Sequence, residues 1–336
     1  MKILFDDVLI PTQKMLYSKI GQMFGDKAVC RNDSYILVQG EAPVMLVAHM
    51  DTVHKEPVRQ ICKSHHGTIL MSPQGIGGDD RCGVYALLKI HHDSEVKPWL
   101  LFTCDEEVGG IGARQFCSDY LADRLPEGLD DMKLLIEIDR KGENDAVYYD
   151  CDNSDFEKYI ESKGFKTKFG SFSDISIVAP AIGVAAVNLS SGYYNAHTLH
   201  EYIDTKQLNA TITKVKEIVK EANSFDFPKY EYIESISYPT YGNKERYSYY
   251  GYDYRDYDYE AFLKNVPDEI LDECIDLLEL YSPEELKMIR SEYGDAMIHE
   301  LWEYEFFEET KDNPFSKSLH DMTDEEFIGK EAANGM

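Results

Sequence analysis

Histidines and carboxylates recur just after short apolar runs at five places in this chain. The first is Val47-Ala48-His49-Met50-Asp51-Thr52-Val53. In an extended segment His49 and Asp51 point to the same side, and an imidazole that binds a metal usually has a carboxylate or carbonyl behind it. The plainer reading is a strand-end histidine with an acid nearby. The second is Gly75-Ile76-Gly77-Gly78-Asp79-Asp80-Arg81-Cys82-Gly83, a glycine turn running into a helix. Acids at a helix start serve as N-caps, and a carboxylate held there can instead bridge two cations. The third is Leu100-Leu101-Phe102-Thr103-Cys104-Asp105-Glu106-Glu107-Val108-Gly109-Gly110. Adjacent glutamates face different directions, so one can bind a metal while the other handles a proton. The ordinary alternative is solvated acids favoured by the dipole of the next helix. The fourth, Leu134 to Arg140, ends in Asp139, and the fifth holds His197, His200 and Glu201. Each is weak alone. Together they supply nitrogen and oxygen donors without thiolates, a set that suits zinc, cobalt or manganese.

The segments that must position these groups read as α/β. Helical patterns cover residues 12–24, 82–91, 111–121, 156–162 and 204–222. Strand patterns cover 34–38, 44–48, 99–103, 134–138, 146–149 and 184–189. Strands alternating with helices predict a mostly parallel central sheet with helices on both faces. In such sheets, sites lie beyond the carboxyl ends of the strands.

Composition divides the chain. Net charge is −28 over 336 residues. Residues 226–336 carry 29 acids and 10 bases, a net of −19, and residues 1–225 carry the other −9. So acidic a chain is not expected to bind nucleic acid, which is held through Lys and Arg. Eleven tyrosines fall between 228 and 260, in a biased stretch with little apolar periodicity. The expected organisation is a catalytic domain over 1–225, a Tyr-rich acidic linker or loop over 226–260, and a helical acidic appendage over 261–336. In the appendage, Ser282-Pro283-Glu284-Glu285 reads as a capping box. Leu286, Ile289, Tyr293, Met297, Leu301 and Tyr304 then mark one helical face. The acidic region is a candidate for contact with a protein partner or with the chain itself. No membrane partner is expected, since no run approaches the roughly 18 to 20 apolar residues of a spanning helix. The N-terminus does not read as a signal peptide, and seven cysteines without a C-x-x-C fit a cytoplasmic protein.

In this order and spacing the motifs resemble the two-zinc exopeptidase clan that includes peptidase T, carboxypeptidase G and the bacterial leucyl aminopeptidases. The matches are H-x-D-T-V at His49–Val53, G-x-D-D-R/K-x-G at Gly77–Gly83 with Gly78 before the aspartates, D-E-E-V-G at Asp105–Gly109, the strand-end Asp139, and H-x-x-H-E-Y/F at His197–Tyr202. They span residues 44–205. The resemblance implies two divalent ions, zinc or else cobalt or manganese. One would take His49 and Asp139, and the other Glu107 and His197. Asp79 would bridge them, with a cis bond to Asp80. Asp51 would orient His49, and Glu106 would be the general base. It also implies cleavage of amide bonds in small peptides by a metal-activated water. A deacylase or other amidohydrolase acting on N-acyl amino acids uses the same core. A catalytically silent metal-bound scaffold with a partner-binding tail is the remaining alternative. Arg81, Arg140, Lys141 and His200 are candidates for holding substrate or the oxyanion, and each is as readily structural or solvated. Two features set the chain apart. Only 57 residues separate Asp139 from His197, too few for the lid domain of peptidase T-like members, and Ser173-Asp174-Ile175 resembles the lidless aminopeptidase branch.

Overall fold

The computed structural model describes residues 3–168, 170 and 172–234, and from there on 266–267, 270, 274, 277, 286–287, 289–291 and 294–307. The chain divides into two compact units, Met1–Asp253 and Tyr254–Met336.

Eight strands form the main sheet of the first unit, in the order β1-β2-β6-β3-β7-β10-β8-β9. They are β1 (Ala28–Arg31), β2 (Tyr35–Val38), β3 (Ala42–His49), β6 (Pro98–Thr103), β7 (Leu134–Arg140), β8 (Asp145–Val147), β9 (Lys166–Thr167) and β10 (Ala186–Ser190). The central four, β6, β3, β7 and β10, are parallel, and β1 and β2 join antiparallel at one side. A smaller antiparallel sheet joins β4 (Cys62–Lys63), β5 (Ile69–Met71), β11 (Tyr193–Tyr194) and β12 (Tyr202–Asp204). The helices are α1 (Asp6–Leu9), α2 (Gln13–Phe24), α3 (Gly78–Asp93), α4 (Ile111–Leu121), α5 (Ser154–Ser162), α6 (Asp174–Ile182) and α7 (Thr205–Ala222). The expected fold class is the observed one for this unit.

The central strands are apolar throughout because both of their faces are covered. Alternate residues belong to different cores. Val44, Leu46 and Ala48 of β3 pack with residues of α1, α2, α3 and α7, while Met45 and Val47 pack with residues of α4 and α6. The same alternation splits Leu100 and Phe102 from Trp99 and Leu101 in β6, and Leu134 and Ile136 from Leu135 in β7. Side chains two apart share a face. His49, Thr103, Glu137, Asp139 and Asn188 therefore continue the α4/α6 side of β3, β6, β7 and β10 at their carboxyl ends. There the apolar core gives way to a buried polar row.

The backbone of the first unit continues past the compositional boundary at 225. Tyr230 donates its N–H to the Lys133 carbonyl and accepts from Ala185, and bridges join Val184 to Glu231 and Cys151 to Glu234. In the second unit, helix α8 (Asp295–Phe307) buries Ile298 and Leu301, and Leu286 is buried as well. Ile289 and Met297, of the same sequence-marked face, are half-buried. Tyr293, the Ser282–Glu285 capping box and residues 235–260 lie outside the described residues. All seven cysteines are free thiols. Among the described residues no helix is long and apolar enough to cross a membrane.

Candidate metal centre

His49 is the last residue of β3 and is fully buried. Its Nδ1 lies 3.2 Å from Asp51 Oδ1 and its Nε2 3.1 Å from Asp79 Oδ1. Two residues past the strand end, Asp51 turns toward the segment after β6. There Oδ1 accepts the Glu106 N–H at 3.1 Å and Oδ2 the Glu107 N–H at 3.0 Å. One carboxylate thus fixes the imidazole on one side and the backbone of the glutamate pair on the other.

Asp79 opens α3, with a cis peptide bond to Asp80, as the resemblance implied. Its second oxygen, Oδ2, lies 3.3 Å from His197 Nε2, which in turn lies 3.2 Å from Glu107 Oε2. Asp139 Oδ1 is 3.8 Å from His49 Nε2. Gly83 makes this approach possible: a Cβ there would lie 2.5 Å from the Ile138 carbonyl and closer still to Asp80. Only a bare backbone lets the first turn of α3 press against β7, bringing Asp79 toward Asp139. The Asp139 N–H donates to Asn188 Oδ1 at 2.9 Å, and the Tyr193 hydroxyl donates to the Asp139 carbonyl at 3.0 Å.

The charge balance is one-sided. Burial alone would push His49 down. The field of Asp139, contacts with Asp51 and Asp79 and the field of Glu106 instead hold it well above its ordinary value. Contacts with Asp79 and Glu107 raise His197 to about 10. Burial pushes Asp79 up, but its histidine contacts outweigh that and leave it below the usual carboxylate range. Burial, helped by neighbouring acids, raises Glu106 to about 8 and Asp139 well above its ordinary value. So many buried carboxylates cannot all be ionised without positive charge among them. Among the described residues, three groups of donor atoms are close enough to share an ion: His49 with Asp79 and Asp139, His49 with Glu106 and Glu107, and Asp79 with Glu107 and His197. The donors are nitrogen and oxygen only, a hard-to-borderline set. Glu107 Oε1 is buried with no hydrogen-bond partner. By donor type, spacing and excess negative charge, these residues fit divalent cations.

The structure therefore brings together all seven residues singled out in the sequence: His49, Asp51, Asp79, Glu106, Glu107, Asp139 and His197. It does not bring Arg81 to the same place as a free cation. The Arg81 side chain is buried and donates through Nη1 to the carbonyls of Val8 at 2.6 Å and Pro11 at 2.8 Å. It braces the N-terminal segment. Lys141 and His200 are exposed and Arg140 is half-buried.

Behind the cluster lies a polar layer that spacing alone does not assign. Glu137, fully buried, accepts from the Ser173 hydroxyl, whose oxygen also lies 3.4 Å from Asp139 Oδ2. The Thr103 hydroxyl donates to Asp174. Burial, opposed by His49 and Thr103, leaves Asp174 raised to about 6. Glu137 did carry a signal, since it lies two residues before Asp139 in a strand and so on the same side. Glu201, fully buried, accepts from the Gly77 and Asp79 N–H groups and from His54. Beside His197 a cavity of about 600 Å³ is lined by Val53, His54, Pro73, Gln74 and Leu199, among others.

No family model and no curated protein matches the chain. Solved structures do. A tripeptidase from Staphylococcus aureus is 15% identical, with 65% of this chain and 96% of that one covered at a TM-score of 0.49. The aminopeptidase PepT from Bacillus cereus is 13% identical, with 66% and 96% covered at 0.46. The TET1 peptidase of Pyrococcus horikoshii is 14% identical, with 64% and 97% covered at 0.42. The first two bear the names of a tripeptidase and an aminopeptidase, and the third that of a peptidase.

Proposed function

We propose that the chain is a two-metal exopeptidase that cleaves amide bonds of small peptides. One observation carries this reading: Asp79 turns one oxygen to His49 and the other to His197, at 3.1 and 3.3 Å. A carboxylate so placed between two imidazoles is arranged to bridge two cations. His49, Asp139 and Asp79 would hold one ion, and Glu107, His197 and Asp79 the other, with zinc, cobalt and manganese all suited to these donors. Divalent ions held there would supply Lewis acidity and lower the pKa of a bound water from 15.7 towards about 7.

The protein's own residues do the rest. Asp51 holds His49 from behind and, through two backbone N–H groups, sets the directions of Glu106 and Glu107. Glu107 faces His197 at 3.2 Å, whereas Glu106 stands 3.9 Å from His49. Glu107 is thereby assigned to metal binding. Glu106 is assigned to take the proton of the attacking water and pass it to the leaving amine. The cavity beside His197 has room for a short peptide's side chain, and Val53 and Leu199 give it an apolar wall.

Purified protein is tested against dipeptides, aminoacyl-anilides and N-acyl amino acids, each with added zinc, cobalt or manganese. Turnover of the peptides or anilides is the expected result. Turnover of N-acyl amino acids alone would make the protein a deacylase. Bound metal without turnover of any of these would leave a silent scaffold.

A further inference from the structure

We propose that Glu201, with His54, is a positioning clamp that aims the carboxylate of Asp79 between the two imidazoles. This rests on the two-metal reading of the site. Asp79 needs such a device because its own helix does not set it. Asp79 (φ −80°, ψ 105°) and Asp80 (φ −114°, ψ 43°) both depart from helical angles, and Gly77 before them lies in the left-handed region without a side chain to cap the turn. The hydrogen-bond ladder of α3 thus leaves the direction of Asp79 open.

Glu201 fills that gap from 122 residues away. Oε1 accepts the Asp79 N–H at 3.0 Å, and Oε2 accepts the Gly77 N–H at 2.9 Å and His54 Nε2 at 2.9 Å. The side chain is fully buried. A carboxylate withdrawn from water is stable when several N–H donors face it, and here the donors are the backbone that carries Asp79 and one imidazole. His54 is itself seated. It rests on the bare backbone of Gly75 (φ +80°), where a Cβ would stand 2.2 Å from Nδ1. A ring so placed cannot swing away from Glu201 without leaving that seat.

The connection between β11 and β12 therefore acts twice on one residue. It delivers His197 to Asp79 Oδ2 at 3.3 Å, and it fixes the Asp79 backbone through Glu201. His54 adds a link outward, because it also lines the cavity beside His197. A staple that merely tied the loop to α3 could use any of many surface pairs. Glu201 instead spends all its bonds on the glycine turn that presents Asp79 and on the ring that buttresses it.

The test is zinc titration of the chelator-stripped full chain, in a double-mutant cycle of Glu201→Gln with Asp79→Asn. An amide keeps the volume but cannot accept at both ends, so at least one donor loses its partner. Glu201→Gln is expected to lower zinc affinity about 10–100-fold, the usual cost of removing an outer support of a metal ligand. On the Asp79→Asn background the same change should cost less than about threefold, since no bridging carboxylate is left to aim. Equal losses in both backgrounds would make Glu201 a general structural staple and overturn the clamp. His54→Ala, which removes one bond of three, should show a smaller loss with the same non-additivity. If Glu201→Gln does not fold, His54→Ala decides alone, and wild-type zinc affinity in that variant overturns the proposal. Wild-type protein that binds no zinc overturns the two-metal reading and the clamp together. Wild-type protein with two zinc equivalents, unchanged in Glu201→Gln, overturns the clamp only.

Discussion

His49 and His197 approach one carboxylate from opposite kinds of structure. His49 closes a strand that has partners on both sides, with Val47 opposite Glu137 and His49 opposite Thr103. Its side chain is fully buried, placed by sheet register and held by Asp51. His197 sits in a loop between two two- or three-residue strands, at φ +65°, with about half of its side chain exposed. The fixed half of the site comes from the parallel sheet, as expected at the carboxyl ends of its strands. The other half is a loop that must be held by specific bonds. On the proposed function, such a division would keep the chemistry constant while substrate enters and leaves on one side.

The glutamate pair spans this division, and substituting each member separates the two halves most sharply. Glu106→Gln should lower turnover by at least the 10²–10⁴-fold typical of losing a general base, with metal content kept. Glu107→Gln should instead weaken metal binding, because its carboxylate is the one that meets His197. Metal analysis and peptide turnover on both variants check this. The opposite pattern would reverse the two assignments.

The two histidines provide the next comparison. Both His49→Asn and His197→Asn should lower zinc affinity by about tenfold or more, as ligand losses. Only His49→Asn should also lower the melting temperature of the metal-stripped protein, because it disturbs a residue packed inside the sheet's polar row. The half-exposed His197 can be changed without touching the core. Equal melting temperatures for the two stripped variants would show that the division does not extend to stability.

A smaller effect is expected at Gln13, the first residue of α2. Its amide grips Asp105 twice, Nε2 donating to Oδ1 at 2.9 Å and Oε1 accepting the N–H at 3.3 Å. Asp105 holds φ +58°, uncommon for a residue with a side chain, directly before the glutamate pair. Gln13→Ala should reduce kcat about tenfold, since small misplacements of reacting groups are costly, with zinc stoichiometry unchanged. Stability should fall by about 1 kcal/mol, the usual net worth of a hydrogen bond. A fall in stability with kcat intact would make Gln13 a staple only.

What could be read from the sequence follows the same division. The strand ends were legible because apolar runs stop abruptly at acids or histidine. The helix expected over 111–121 is α4, Ile111–Leu121. Less visible were β4 and β5, two and three residues long, and α6, whose run Asp-Ile-Ser-Ile-Val-Ala-Pro-Ala-Ile has little polar contrast to mark a helical face. At the site, the clustered residues and the Asp51 support were legible, and the further supports were not. Glu201 stood in a quoted motif, yet its partners Gly77, Asp79 and His54 lie 122 to 147 residues earlier. Arg81 could be read only as a candidate for substrate or as structural, because the carbonyls of Val8 and Pro11 leave no trace in residue type.

The last comparison is between the two units of the chain, and it predicts no effect on the site. The seven proposed site residues all lie between His49 and His197. A chain ending after Asp253, where the first compact unit ends, should stay soluble and bind zinc with the affinity of the full chain. Such a result would leave the acidic region, with its net charge of −19 over residues 226–336, free for contact with basic surfaces. Loss of metal binding would instead tie the second unit to the proposed metal centre. A shorter chain ending at Ser224 gives the contrast. It strips the bridges at Glu231 and Glu234, and it removes the buried ring of Tyr230, which lies 5.0 Å from Phe156 and 5.8 Å from Tyr159. Burying one such side chain is worth about 1.5–3 kcal/mol, so this chain should melt several degrees lower. It should still bind zinc below its melting temperature, because all seven proposed site residues precede Ser224. Equal melting temperatures for the two truncated chains would show that residues 225–253 add nothing to the stability of the first unit and that its boundary lies where the composition changes.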